Sequence, residues 1–127
     1  MYNINRQNVF NYKSTLYIAK KLETSQDENL NQVENYDTPK KYRFNVQAVN
    51  EDSEIREFGE LANRMKVALI TEKSKYIGKF YDFDKAYLET TPEGEIKNGA
   101  NADYRIYSVR NQNTCIRIYL LKLVKED

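Results

Sequence analysis

The chain has 127 residues, enough for one domain with a modest core, with 40% hydrophobic and 31% charged residues and a net charge of +1. That balance carries no overall electrostatic signature of a nucleic-acid or membrane-surface binder. The lack of histidine removes Ser-His-Asp and Cys-His catalysis and most transition-metal sites, and a single cysteine, Cys115, excludes an intrachain disulfide.

Residues 1–14, beginning "MYNINRQNVFNYK", read as an irregular arm or a short helix without an apolar signal-peptide core. No run approaches the ~18 apolar residues of a membrane span. Residues 15–21, "TLYIAKK", predict a strand with Leu16 and Ile18 on one face and Tyr17 and Ala19 on the other. Residues 22–38 form a long polar stretch with Glu23, Asp27, Glu28, Glu34 and Asp37 and no Lys or Arg; without strand patterning, it reads as a loop. Residues 41–49 alternate cleanly, with Tyr42, Phe44, Val46 and Ala48 on one face and Arg43, Asn45 and Gln47 on the other.

In residues 50–64, Ser53 is a candidate cap for a short helical turn ending at Gly59. "MKVALITE", 65–72, favours a strand by length and β-branching, with a helix over 60–70 as its rival. An aromatic-rich loop precedes a strand at 85–89, and residues 90–102 are turn-rich. Residues 103–110 and 114–124 predict a closing hairpin around "NQN", with a bulge near Ser108. Cys115 falls inside the second of these strands and reads as a small core hydrophobe. The fold class is therefore all-β and mainly antiparallel: a single-domain small barrel or sandwich of five or six strands, with long loops and at most one or two short helices.

The chain offers little chemistry. Asp82 and Asp84, with Glu89 or Asp103, could pair as acids or bind a cation, but unspecific spacing like this usually marks strand faces and turn caps. Four glycines match no phosphate-binding loop. No cofactor, metal or catalytic residue is expected, and the chain is not read as an enzyme. "KSKYIGKFY", 73–81, interleaves lysines with aromatics, as single-strand nucleic-acid-binding barrels do.

The last strand is apolar on both faces. Ile116, Ile118, Leu120 and Val124 share one; Tyr119, Leu121 and Leu123 share the other. The second face needs cover from a helix, from the arm with Val9, Phe10 and Tyr12, or from a neighbouring subunit. In the last case Tyr107, Tyr119, Leu121 and Leu123 would form the subunit interface.

Three stretches, "TPKKYRFNVQAVNEDSEIREFGE" (38–60), "YDFDKAYLE" (81–89) and "NGANADYRIYSVRNQNTCIRIYLLKL" (98–123), carry a likeness through their order and spacing. Together they resemble the head-closure, or head–tail connector, proteins of long-tailed bacteriophages of Gram-positive hosts. The resemblance implies a β-barrel protomer of a virion neck ring, typically a dodecamer, assembled in the host cytoplasm. Such a ring lies below the portal or adaptor, extends or closes the DNA channel, retains packaged DNA without sequence-specific contact, and docks a tail-completion or tail-terminator protein. No membrane is involved.

Only structural positions carry over: Pro39, Phe58, Gly59, Asp84, Asp103 and Tyr104. The family's channel-facing loop finds two acidic candidates here. One is 22–38, with Asp27, Glu28 and Glu34; the other is 50–57, with Glu51, Asp52 and Glu54. A tail-completion or tail-terminator ring protein remains an alternative, and a helix at 60–70 would favour it. A single-stranded nucleic-acid-binding barrel is another.

Overall fold

The computed structural model describes residues 13–92 and 101–124. The arm residues Val9, Phe10 and Tyr12, and most of the turn-rich connection, lie outside the described residues. Among the described residues eight strands occur in chain order: β1 (Ser14–Ala19), β2 (Ser25–Gln26), β3 (Gln32–Val33), β4 (Lys40–Ala48), β5 (Met65–Ile70), β6 (Lys85–Tyr87), β7 (Tyr104–Asn111) and β8 (Ile116–Lys122). Helix α1 (Asp52–Phe58) and a 3-10 turn (Gly59–Arg64) lie between β4 and β5, and the one-turn helix α2 (Lys73–Tyr76) follows β5.

Six strands close an antiparallel barrel in the order β1-β4-β5-β8-β7-β6, and β2-β3 form a separate hairpin. Closure removes the exposed strand edges that an open sheet of this size would carry. Period-2 alternation fills the interior: Leu16 and Ile18 from β1, Phe44 from β4, Ala68 and Ile70 from β5, and Ile116, Ile118 and Leu120 from β8 are buried there. The bulge falls where the sequence places it. Ile106 pairs with Leu120 and Ser108 with Tyr119, so Tyr107 is the extra residue. The slip turns Val109, one position further on, back toward the interior, where it packs on the core.

Tyr42, Phe44, Tyr76 and Phe80 interlock as an aromatic plug, with ring centroids 5.1–6.1 Å apart. Two of the three aromatics in "KSKYIGKFY" therefore pack inside the molecule, leaving only Tyr81 exposed.

Several expectations are corrected. Residues 22–38 are not a plain loop, because β2 and β3 pair within them and Lys21 bridges to Tyr36. The pairing rests on backbone bonds and a turn, and so leaves no apolar alternation to read. On β4 the inward face ends at Val46: Ala48 is exposed, Asn45 is buried, and Val49 enters a second cluster. Glu51, not Ser53, is the N-cap of α1, without a side-chain hydrogen bond, while Gly59 closes it at φ 59°. Residues 65–70 are a strand. Cys115 precedes β8 and is only half-buried, its thiol 3.8 Å from Oε1 of Gln112.

Candidate functional site

The second face of β8 is covered by the chain itself. Tyr119 and Leu121, with Met65 and Val67 of β5, pack under Val49, Phe58 and Ala62. A seven-residue helix is marginal alone. Here α1 buries Glu54 and Phe58, one turn apart, against this wall. Glu54, only 6% exposed, accepts a hydrogen bond from the Tyr119 hydroxyl and faces Nη1 of Arg117 at 3.1 Å. Glu57 and Arg110 form a bidentate pair, with one arm at 2.8 Å, and the pairing holds the Glu57 carboxyl below its usual range. The Arg110 guanidinium lies over the rings of Phe58 (5.3 Å) and Tyr119 (5.0 Å).

This overturns the subunit-interface reading for Tyr119, 2% exposed, and for Leu121, both buried within one copy. Tyr107 stays half-buried beside Phe58, and Leu123 is half-buried at the end of β8. Glu54 also leaves the channel-loop set, since it is buried. Glu51 pairs with Arg117 at 3.6 Å, and Asp52 sits in the first turn of α1.

The opposite side of the barrel is built around two buried carboxylates. Asp84, 2% exposed, accepts the backbone N–H of Lys21 on Oδ1 (2.9 Å) and of Tyr81 on Oδ2 (3.2 Å). Burial pushes its carboxyl above the usual aspartate range, against the pull of these two N–H groups. Asp103 accepts the N–H groups of Leu88 (2.9 Å) and Glu89 (2.7 Å), clamping the end of β6 to β7. The Tyr104 hydroxyl donates to Glu89 at 2.7 Å, and this bond with Lys122 holds the Glu89 carboxyl low. Asp82 and Asp84 do not share the face of a strand: both precede β6, Phe83 between them turns at φ 76°, and Asp82 is exposed where Asp84 is buried, although the Asp82 charge still adds a little to the rise of Asp84.

Asp84 roots the β2–β3 hairpin. Leu22 N–H reaches the Asn35 carbonyl (2.7 Å), and Asp37 N–H reaches the Lys20 carbonyl (2.8 Å). Tyr36 drops into a pocket with Ala19, Tyr87 and Ala102. Burial, reinforced by Glu34, pushes the Tyr36 hydroxyl up to about 12. At the tip, Oδ1 of Asp27 accepts the N–H groups of Asn29 and Asn31, both at 2.9 Å, and the Asp27 carbonyl accepts that of Leu30 at 3.1 Å. From bridge to tip an arm of about six residues spans roughly 20 Å. Glu23, Asp27, Glu28 and Glu34 are all exposed along it.

At the foot of the hairpin lies a surface with Tyr81 and Phe83 exposed. Lys20 stands over Tyr81 at 5.8 Å. Phe83 has Lys21 at 5.5 Å and Arg105 at 5.8 Å. The Phe83 backbone is fixed by its N–H to the Ile106 carbonyl at 3.0 Å. The sequence reading missed this platform: only Tyr81 belongs to the lysine-aromatic stretch, and Lys20, Lys21 and Arg105 arrive from distant strands.

A cleft of about 280 Å³ opens beside the middle of β4, the end of β5 and the start of β8, with Lys13, Arg43, Thr114, Cys115 and Arg117 among its lining residues. Among the described residues, no group of three or more His, Cys, Asp or Glu side chains is placed to hold a metal. The remaining family-like positions are structural in their surroundings: Pro39 precedes β4, Phe58 and Gly59 end α1, and Tyr104 lines the core. Compared with family models, curated proteins and solved structures, the chain matches none.

Proposed function

We propose that this chain is a structural ring protomer of a bacteriophage neck, of the head-closure type, which extends or closes the DNA channel below the portal or adaptor and docks the tail. The observation that carries the reading is the acidic hairpin rooted on a closed barrel. Five carboxylates and no Lys or Arg lie within residues 22–38, on an arm held out by backbone pairing. A negative surface repels DNA phosphates, so packaged DNA slides past without adhering. The hairpin is the channel-facing candidate, and the burial of Glu54 leaves 50–57 poorly suited to that role. A 3-10 turn and a strand at 59–70, in place of a long helix, favour this reading over a tail-terminator protein.

Two measurements test it. Cryo-electron imaging of virion necks should locate a ring of this chain between portal and tail; necks without it would end the reading. Charge reversal at Asp27, Glu28 and Glu34 together should reduce DNA ejection and infectious yield. Wild-type ejection and yield from that variant would remove the hairpin from the channel.

A further inference from the structure

We propose that the hairpin tip of one copy, Leu30 framed by Asp27 and Glu28, docks on the Tyr81–Phe83 platform of a second copy, head to tail. The contact rests on the ring reading for its setting, and it supplies the subunit interface that the burial of Tyr119 removes; with the tip docked, the flanks of the hairpin, with exposed Glu23 and Asp37, are the part left to face the channel.

Among the described residues, Leu30 and Phe83 are the non-glycine positions with positive φ, at 65° and 76°. That region is unfavourable for bulky side chains and is kept where the surroundings impose it. Both surroundings do so. The Asp27 carboxylate and carbonyl lock the tip turn, and hydrogen bonds through Phe83, Ile106 and Asp84 lock the platform. Both also display a large apolar side chain to water: Leu30 is 75% exposed and Phe83 55%. Neither side chain contributes to the chain's own buried clusters. The backbone at both positions serves the turns, but neither turn accounts for a large apolar side chain held out to water.

The charges around the two groups are complementary. The tip carries Asp27 and Glu28 and no cation, while the platform carries Lys20, Lys21 and Arg105 beside its rings. An aromatic centre with a charged rim is the usual composition of a binding patch. A copy cannot satisfy its own platform, since the arm is held extended and the platform lies at its foot, roughly 20 Å from the tip. Pairing tip to platform is therefore intermolecular and heterologous, the kind of contact that propagates into rings or filaments. A second copy fits better than nucleic acid, which would use the platform's cations and rings but leave the exposed Leu30 at the tip without a partner.

The test uses Leu30→Gly and Phe83→Gly in the full chain, since glycine accepts positive φ and both variants should fold. Sedimentation equilibrium up to millimolar concentration should show wild-type association beyond the dimer, weakened at least about tenfold in each variant. Mixing the two variants should restore one-to-one dimers and nothing larger, because the pair holds one intact tip and one intact platform. A wild-type chain that stays monomeric, variants that associate like wild type, or a mixture that stays monomeric would each overturn the proposal. So would binding to a fluorescent single-stranded oligonucleotide that is lost in Phe83→Gly and kept in Leu30→Gly. Restored mixed dimers with no ring in virion necks would instead overturn the neck reading and leave this contact standing. Variants that associate like wild type, with the chain present in necks, would do the reverse.

Discussion

The two sides of the barrel wall use one device with opposite results. On the β5–β8 side, Arg110 lies over the rings of Phe58 and Tyr119. On the β6–β7 side, Arg105 lies over Phe83 (5.8 Å) and Tyr107 (5.3 Å). In the first case α1 closes over the rings, and Glu54 and Glu57 anchor it to Arg117 and Arg110. In the second Tyr107 leans half-buried on Phe58 at the edge of α1, while Phe83 stays 55% exposed with no helix over it. A cation over an aromatic face is thus not itself a sign of burial or of a binding site. What separates the two sides is whether the chain also supplies a helix with an apolar stripe and carboxylates to match the arginines.

The largest break in this comparison should come from Tyr119→Asp. It would place a second carboxylate beside buried Glu54, remove the hydroxyl that Glu54 accepts from, and leave a gap under Phe58. A cost of about 4 kcal/mol or more is expected, a large part of the stability of a domain this size. Tyr81→Asp on the open side should change stability by less than about 0.5 kcal/mol. Urea unfolding of the two variants measures both; similar midpoints would mean that the sides do not differ as described.

Alkaline pH should strain both sides together. Burial raises the Tyr119 hydroxyl under α1 and, with Glu34 adding to it, carries Tyr36 at the hairpin root to about 12. The folded state keeps these protons while unfolded tyrosines release theirs near 10. The contribution is therefore fully present below pH ~10 and is lost as pH rises through the folded values. Tyr36 alone accounts for about 2–3 kcal/mol once pH has passed its folded value. Tyrosinate absorbance should rise together with loss of circular dichroism, and Tyr36→Phe should delay that loss. An unchanged alkaline midpoint in Tyr36→Phe would show that the hairpin root does not limit stability there.

Legibility followed the range of the interactions. The inward face of β4 from Tyr42 to Val46, the β7 bulge and the antiparallel barrel class follow from alternation and turn residues, which act over a few neighbours. Glu54 was unreadable, because "NEDSEIREF" looks like a solvated segment and its partners Arg117 and Tyr119 lie 63 and 65 residues away. The β2–β3 hairpin escaped for the opposite reason: its order is in backbone bonds and the Asp27 turn, with no apolar pattern. Asp84 and Asp103 stood out as acids near strands. Their roles as acceptors of backbone N–H groups depend on where β1 and β6 come to lie.

Asp84→Asn sharpens the open side. Asparagine keeps one acceptor oxygen and turns an NH2 group toward the other N–H, so one of the Lys21 and Tyr81 N–H groups loses its partner. The expected cost is about 1–2 kcal/mol. Because the folded carboxyl is raised, the wild-type contribution from this group declines as pH rises from the unfolded value of about 3.9. The variant lacks that slope. Hydrogen exchange should quicken at Leu22 and Asp37, whose amides close the hairpin root, and stay unchanged in β8. Equal quickening in β8 would mean that Asp84 supports the barrel as a whole.

A small effect of the opposite sign is expected at Phe83. Phe83 sits at φ 76° with its ring more than half exposed, so its own fold gains little from the side chain and bears the cost of the backbone. Phe83→Gly relieves that strain but frees the unfolded chain, and the ring's contacts with Lys21 and Arg105 are lost. The balance is a gain of about 0.5–1 kcal/mol. A Tyr119→Gly control on the covered side must lose several kcal/mol, since a cavity opens under α1. Thermal unfolding of the pair thus separates an aromatic kept for the fold from one kept in spite of it. Were Phe83→Gly clearly destabilising, the ring would belong to the fold after all.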